Sequence, residues 1–110
     1  MRAAIYARYS TDRQRESSIA DQVRLCRARA DLEGWAVVAE HGDQGISGST
    51  PVAGRPAGQR LLADILAARF DVLLLEGLDR LSRDLVEQEQ QVRRLEHTVL
   101  NGPVCFGLGR

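Results

Sequence analysis

The chain has 110 residues, 44% of them hydrophobic and 27% charged, which suffices for one modest core and leaves no room for a second domain. Its 15 basic residues, all of them arginine, balance 15 acidic ones; this argues against a general electrostatic grip on nucleic acid, so that any DNA contact must be local or rely on something outside this chain, and the lack of lysine excludes a Walker-type phosphate loop. No apolar run approaches the roughly 20 residues that cross a membrane, Arg8 interrupts the first stretch too early for a signal peptide, and the two cysteines, Cys26 and Cys105, have no metal-type spacing, so a cytoplasmic chain with cysteines used as small core residues is expected.

The first element expected is a strand over Ala3 to Ala7, short and nearly continuously apolar, as a strand buried on both faces should be. Polar residues follow from Ser10 to Glu16. Ser17 or Ser18 then caps a helix: Ser18 and Asp21 have capping-box spacing, Ile19, Val23, Cys26 and Ala30 recur on one face, and Gly34 ends it. Trp35 to Glu40 reads as a second strand, and the glycine-, serine- and threonine-rich stretch from His41 to Gly54 as a mobile loop. Pro56 suits the first turn of a second helix, with Leu61, Leu62, Ile65 and Leu66 as its buried stripe up to Phe70. Asp71 to Glu76 is the third and most apolar strand. Beyond the loop from Asp79 to Arg83, Leu85, Val92, Leu95 and Val99 mark a weakly amphipathic third helix, and Val104 to Leu108 offers a fourth strand. Strands alternating with helices of this length imply an α/β fold with right-handed crossovers and a mostly parallel sheet, whose functional loops lie at the carboxyl ends of the strands.

Both segments richest in chemistry fall at such ends. Arg8 and Ser10 close the first strand, and Asp79, Arg80 and Arg83 follow the third. Arginine is a planar fork of five donors that stays charged at any ordinary pH, so several of them converging on one point repel one another unless an anion lies between them. A serine hydroxyl beside such a cluster has what attack on a phosphodiester requires, namely positioning and neutralisation of the non-bridging oxygens. Arg80 and Arg83, three residues apart, project the same way if a helix begins near Ser82. Asp79 is placed to orient an arginine or accept a proton. His41 and His97 have no partner visible in the sequence and read as surface residues.

Taken together, these segments resemble the catalytic domain of the serine recombinases, the family of resolvases, invertases and large serine integrases. Tyr6-Ala7-Arg8-Tyr9-Ser10-Thr11 resembles the family's nucleophile motif, followed by Gln14 and by Ser18-Ile19-Ala20-Asp21-Gln22 at the start of its first helix. Asp43-Gln44-Gly45-Ile46-Ser47-Gly48 is similar to its second loop, Arg55-Pro56 to its next helix start, and Leu78-Asp79-Arg80-Leu81-Ser82-Arg83-Asp84 to its arginine motif. The polar spacer before Gln22 and the Gly-Ile-Ser-Gly loop look more like the large integrases and transposon-type members than the small resolvases.

The resemblance implies a three-layer, flavodoxin-like domain with about four strands flanked by helices. It implies an enzyme in which Ser10 attacks a DNA phosphate to give a 5′-phosphoserine link, with strands rejoined after subunit rotation and without metal, ATP or other cofactor. Arg8, Arg80 and Arg83 would contact the scissile phosphate, and Gln22, Asp43, Arg55, Asp79 and Gln14 would support the site. DNA and further copies of the chain are the implied partners. On this reading residues 1–100 form the catalytic domain and 101–110 an atypical tail, where family members continue with a long oligomerisation helix and DNA-binding domains; a chain ending here is expected to be inactive alone. Two alternatives stand beside it: a non-catalytic remnant that pairs with or inhibits a full-length relative, and an unrelated α/β module whose arginines hold a phosphate or nucleotide.

Overall fold

The structure, a computed structural model, describes residues 1–10, 18–47, 49–77, 80 and 104–107. Strand β1 spans Arg2–Tyr9, helix α1 Ile19–Glu33, strand β2 Ala36–Gln44, a short 3-10 turn Val52–Gly54, helix α2 Pro56–Leu66, strand β3 Val72–Leu75 and strand β4 Val104–Gly107. The four strands form one parallel sheet in the order β2-β1-β3-β4. The chain moves from β1 outward to β2, then crosses back past β1 to β3, so the direction of winding reverses between β1 and β3. Right-handed crossovers in opposite directions place their helices on opposite faces. One core accordingly joins Ala3, Ile5, Val72 and Leu74 to Cys26 and Ala30 of α1; the other joins Ala4, Tyr6, Leu73 and Leu75 to Val52, Phe70 and the Ala57, Leu61 and Ile65 stripe of α2.

Helix α1 begins and ends as its residues dictate. Ser18 Oγ accepts from the Asp21 amide at 3.1 Å, and Gly34, in the left-handed region at φ 74°, returns its amide to the carbonyls of Ala30 and Asp31. Helix α2 stops at Leu66, four residues short of the Phe70 expected from its pattern, because the chain turns through Ala68 at φ 53°. A Cβ is costly in that region, so Ala68→Gly is expected to stabilise the domain by about 1 kcal/mol. That corresponds to a rise of roughly 4–8 °C in Tm for a domain of this size; an unchanged or lower Tm in a calorimetric scan would contradict it.

Strand β2 is longer than its apolar stretch. It runs on through His41, Gly42 and Asp43 to Gln44, paired with β1 as far as Tyr9, so the first part of the presumed mobile loop is strand. The register slips between Ala3, which faces Val37, and Ala4, which faces Ala39, leaving Val38 as an extra residue. A one-residue slip exchanges the faces of everything beyond it. Val37 therefore packs with α1, whereas Ala39 packs with the α2 core. Beyond the slip Glu40 pairs with Arg27 of α1, while His41 and Asp43 face α2. His41 is not a surface residue: its side chain is largely buried with Nε2 2.8 Å from Asp64 of α2. Cys26 is buried in the α1 core, and burial pushes its thiol up to about 12. Among the described residues no helix is long and apolar enough to cross a membrane. His97 and the third helix expected between Leu85 and Val99 lie outside the described residues.

Candidate active site

The ladder between β1 and β3 ends at Ile5 and Leu74, while β1 continues to Tyr9. This leaves a crevice at the carboxyl edge of the sheet where the winding reverses, the usual position for a site in an open α/β sheet. Gln22 of α1 closes its floor: Oε1 accepts from the Arg8 amide at 3.2 Å and Nε2 donates to the Arg8 carbonyl at 2.8 Å, as a neighbouring strand would. The chain after β2 folds over the end of β1, with the amides of Gly45 and Ile46 on the Tyr9 carbonyl at 2.7 and 3.3 Å. Gly45 makes that turn at φ 73°, where a side chain would be strained. Ser10 follows at the end of β1, fully buried.

Three arginines gather in this crevice. Arg8 and Arg55 are fully buried and Arg80 is 6% exposed. A buried guanidinium requires acceptors for its donors. Arg8 donates from Nε to the Arg80 carbonyl at 3.3 Å and from Nη1 to the Ile46 carbonyl at 2.9 Å. Arg55 donates from Nε to the Thr50 carbonyl and from Nη1 to both the Arg80 carbonyl, at 3.0 Å, and the Tyr6 hydroxyl, at 3.2 Å. The Arg80 carbonyl thus ties two other arginines together, and the Arg80 side chain bonds Glu76 Oε1 at 3.0 Å.

Asp43 is the second anion. Its carboxylate accepts from the amides of Ala57 and Gly58 at the start of α2, at 2.8 and 3.0 Å, and from the Tyr6 hydroxyl at 2.8 Å. Helix N-termini favour such an anion through their free amides. Gly58 has to be glycine there, since a Cβ would come within 2.2 Å of the Val52 carbonyl oxygen. Tyr6 holds its proton firmly: burial raises its pKa most, the Arg55 charge opposes this, and the hydrogen bond and charge of Asp43 raise it further. Tyr6 therefore links Asp43 to Arg55 as donor to one and acceptor from the other.

Of the residues singled out in the sequence, the fold brings Arg8, Gln22, Asp43, Arg55 and Arg80 into one connected network, with Ser10 at the end of the strand that carries Arg8. Gln14, Asp79 and Arg83 lie outside the described residues. Tyr6 and Glu76 belong to the network and were not anticipated. Both carried a signal, a hydroxyl inside an alanine-rich buried strand and a carboxylate directly after four apolar residues.

Comparison with known proteins gives this site a family. The model of the resolvase N-terminal domain matches residues 3–100. The crystal structure of the N-terminal catalytic domain of TP901-1 integrase is 34% identical, superposes with a TM-score of 0.84, and is matched over 98% of this chain and 77% of its own. The C-terminal catalytic domain of ISC1926 TnpA, an IS607-like serine recombinase, is 25% identical with a TM-score of 0.84, over 100% of this chain and 69% of its own. The first open reading frame of transposon ISC1904 from Sulfolobus solfataricus, at 20% identity and a TM-score of 0.73 over 98% of this chain and 67% of its own, shares the fold. No curated protein sequence matches. These matches displace the reading of an unrelated phosphate- or nucleotide-binding module: the chain belongs to the resolvase family of site-specific serine recombinases and carries its catalytic-domain fold.

Proposed function

We propose that this domain breaks and rejoins DNA by phosphoryl transfer to Ser10. The observation that carries the reading is the position of Ser10, buried at the end of β1 two residues beyond Arg8, which shares the Arg80 carbonyl with Arg55. Ser10 Oγ attacks the phosphorus of a DNA phosphodiester, the bond from phosphorus to the 3′ oxygen breaks, and that oxygen leaves as a hydroxyl. The 5′ phosphate remains esterified to Ser10, and the reverse attack by a 3′ hydroxyl on the phosphoserine rejoins a strand. One ester replaces another at each step, so the scheme calls for no ATP. Arg8, Arg80 and Arg83 neutralise the non-bridging oxygens; Gln22, Asp43, Arg55, Asp79 and Gln14 support the site. Strand exchange between two DNA segments requires further copies of the chain, so DNA and a homo-oligomer are the partners.

Among the described residues Arg8 bonds the neutral carbonyls of Ile46 and Arg80. A phosphate oxygen makes a charge-assisted bond roughly twice as strong as such a neutral one, so an arriving phosphodiester can displace them. The test is incubation of the chain with supercoiled DNA carrying a matching recombination site, followed by denaturing electrophoresis and mass spectrometry of the linked peptide. Complete recombination by the chain alone is not expected; a 5′-phosphoserine adduct on Ser10, the product of the first step, is. Arg80→Ala should keep the nucleophile and slow adduct formation by about 100- to 1,000-fold, the usual cost of removing one donor aimed at developing charge. A folded sample that forms no adduct would overturn the reading and favour a role in pairing with a full-length relative.

A further inference from the structure

Glu76 follows β3 directly, is 2% exposed, and has no part in the phosphoryl transfer described above. It continues the face of Val72 and Leu74 toward α1, and its charge adds to the burial that raises the Cys26 thiol. A carboxylate so far from water persists only when its charge is met by a partner. Arg80 is such a partner, its Nη2 lying 3.0 Å from Glu76 Oε1. The same residue offers its backbone carbonyl to Arg8 and Arg55, so Arg80 is a shared point of the arginine network.

A phosphate and a carboxylate want the same thing from an arginine, an edge of the guanidinium fork. Two anions on one buried cation also repel each other. We propose that Glu76 is a positioning residue that holds Arg80 as an internal stand-in for DNA phosphate, so that Arg80 exchanges Glu76 for the scissile phosphate when DNA is engaged. The inference rests on reading the crevice as a phosphate site. It makes Glu76 a brake: the domain keeps its arginines in register in the absence of DNA, and phosphate binding works against a carboxylate already in place.

The test uses inorganic phosphate as probe, titrated into the folded full chain while the arginine Nε–H signals are followed by NMR. Glu76→Gln retains the shape and one acceptor but loses the charge. Exchanging a charged for a neutral hydrogen bond is expected to tighten phosphate binding about tenfold. The gain should vanish when Glu76→Gln is made in an Arg80→Ala background. Phosphate binding no tighter in folded Glu76→Gln, or a gain that survives without Arg80, overturns the proposal. If Glu76→Gln does not fold, Glu76→Asp decides, because it withdraws the carboxylate from Arg80: tighter binding supports the proposal and unchanged binding overturns it. Failure of the nucleophile reading looks different, since Ser10 would form no adduct while phosphate binding still responded to Glu76 through Arg80.

Discussion

Ser10→Ala is expected to retain the fold and lose the covalent DNA adduct entirely. The substitution removes a single oxygen at the end of β1, and the loss of one hydrogen-bonding hydroxyl costs on the order of 1 kcal/mol. The clamp of the strand by Gln22 and the bond from Arg8 to the Arg80 carbonyl are made by other atoms. On the proposed mechanism the chemistry depends on the Ser10 oxygen, because no other atom would then bond to phosphorus, and the arginines would bind and polarise a phosphate that nothing attacks. Circular dichroism and a DNA-binding titration should match the parent within a few-fold, while a denaturing gel with end-labelled DNA shows no shifted band. A shifted band in the Ser10→Ala sample would place the nucleophile elsewhere.

The largest effect on stability is expected at Asp43. Asp43→Ala leaves three buried donors, the amides of Ala57 and Gly58 and the hydroxyl of Tyr6, facing a gap. At about 1–3 kcal/mol for each orphaned donor the loss is roughly 3–9 kcal/mol. That is comparable with the whole stability of many domains, about 5–15 kcal/mol. Arg55 would also lose the orientation of the tyrosine hydroxyl it bonds. Urea denaturation should show a large fall in midpoint, and an unfolded chain is an acceptable result. The contrast is Asp71→Ala. Asp71 is held below the usual carboxylate range by hydrogen bonds from the Arg2 side chain and amide, yet it is 44% exposed. An exposed pair contributes little to stability, so a loss at Asp71 equal to that at Asp43 would refute the burial argument.

Much of the fold was legible along the chain. Apolar runs over Ala3 to Ala7 and Val72 to Leu75 located the two central strands, and Ser18, Gly34 and Pro56 marked helix ends through local rules that need no tertiary partner. What misled was β2. It is an edge strand, so its pattern alternates with polar residues, and its far half looks like a loop because Gly42, Asp43 and Gln44 are strand residues only by virtue of pairing with β1. The placing of His41 at the surface failed for the same reason, since the slip at Val38 turned it toward Asp64.

The sequence by itself determined the element types, the parallel α/β class and the kinds of side chain available for chemistry, because propensity, capping and apolar period act over a few residues. Tertiary structure alone decided which of those side chains meet. The reversal of winding between β1 and β3 brought Arg8 to Arg80 across 72 positions of chain. The slip at Val38 turned Asp43 onto the first amides of α2, and the Tyr6 hydroxyl linked it to Arg55. The carboxylate of Glu76 became the partner of Arg80 only when burial left it no water. Each of these depends on register, face and dielectric, which are properties of packed neighbours and not of a run of residues.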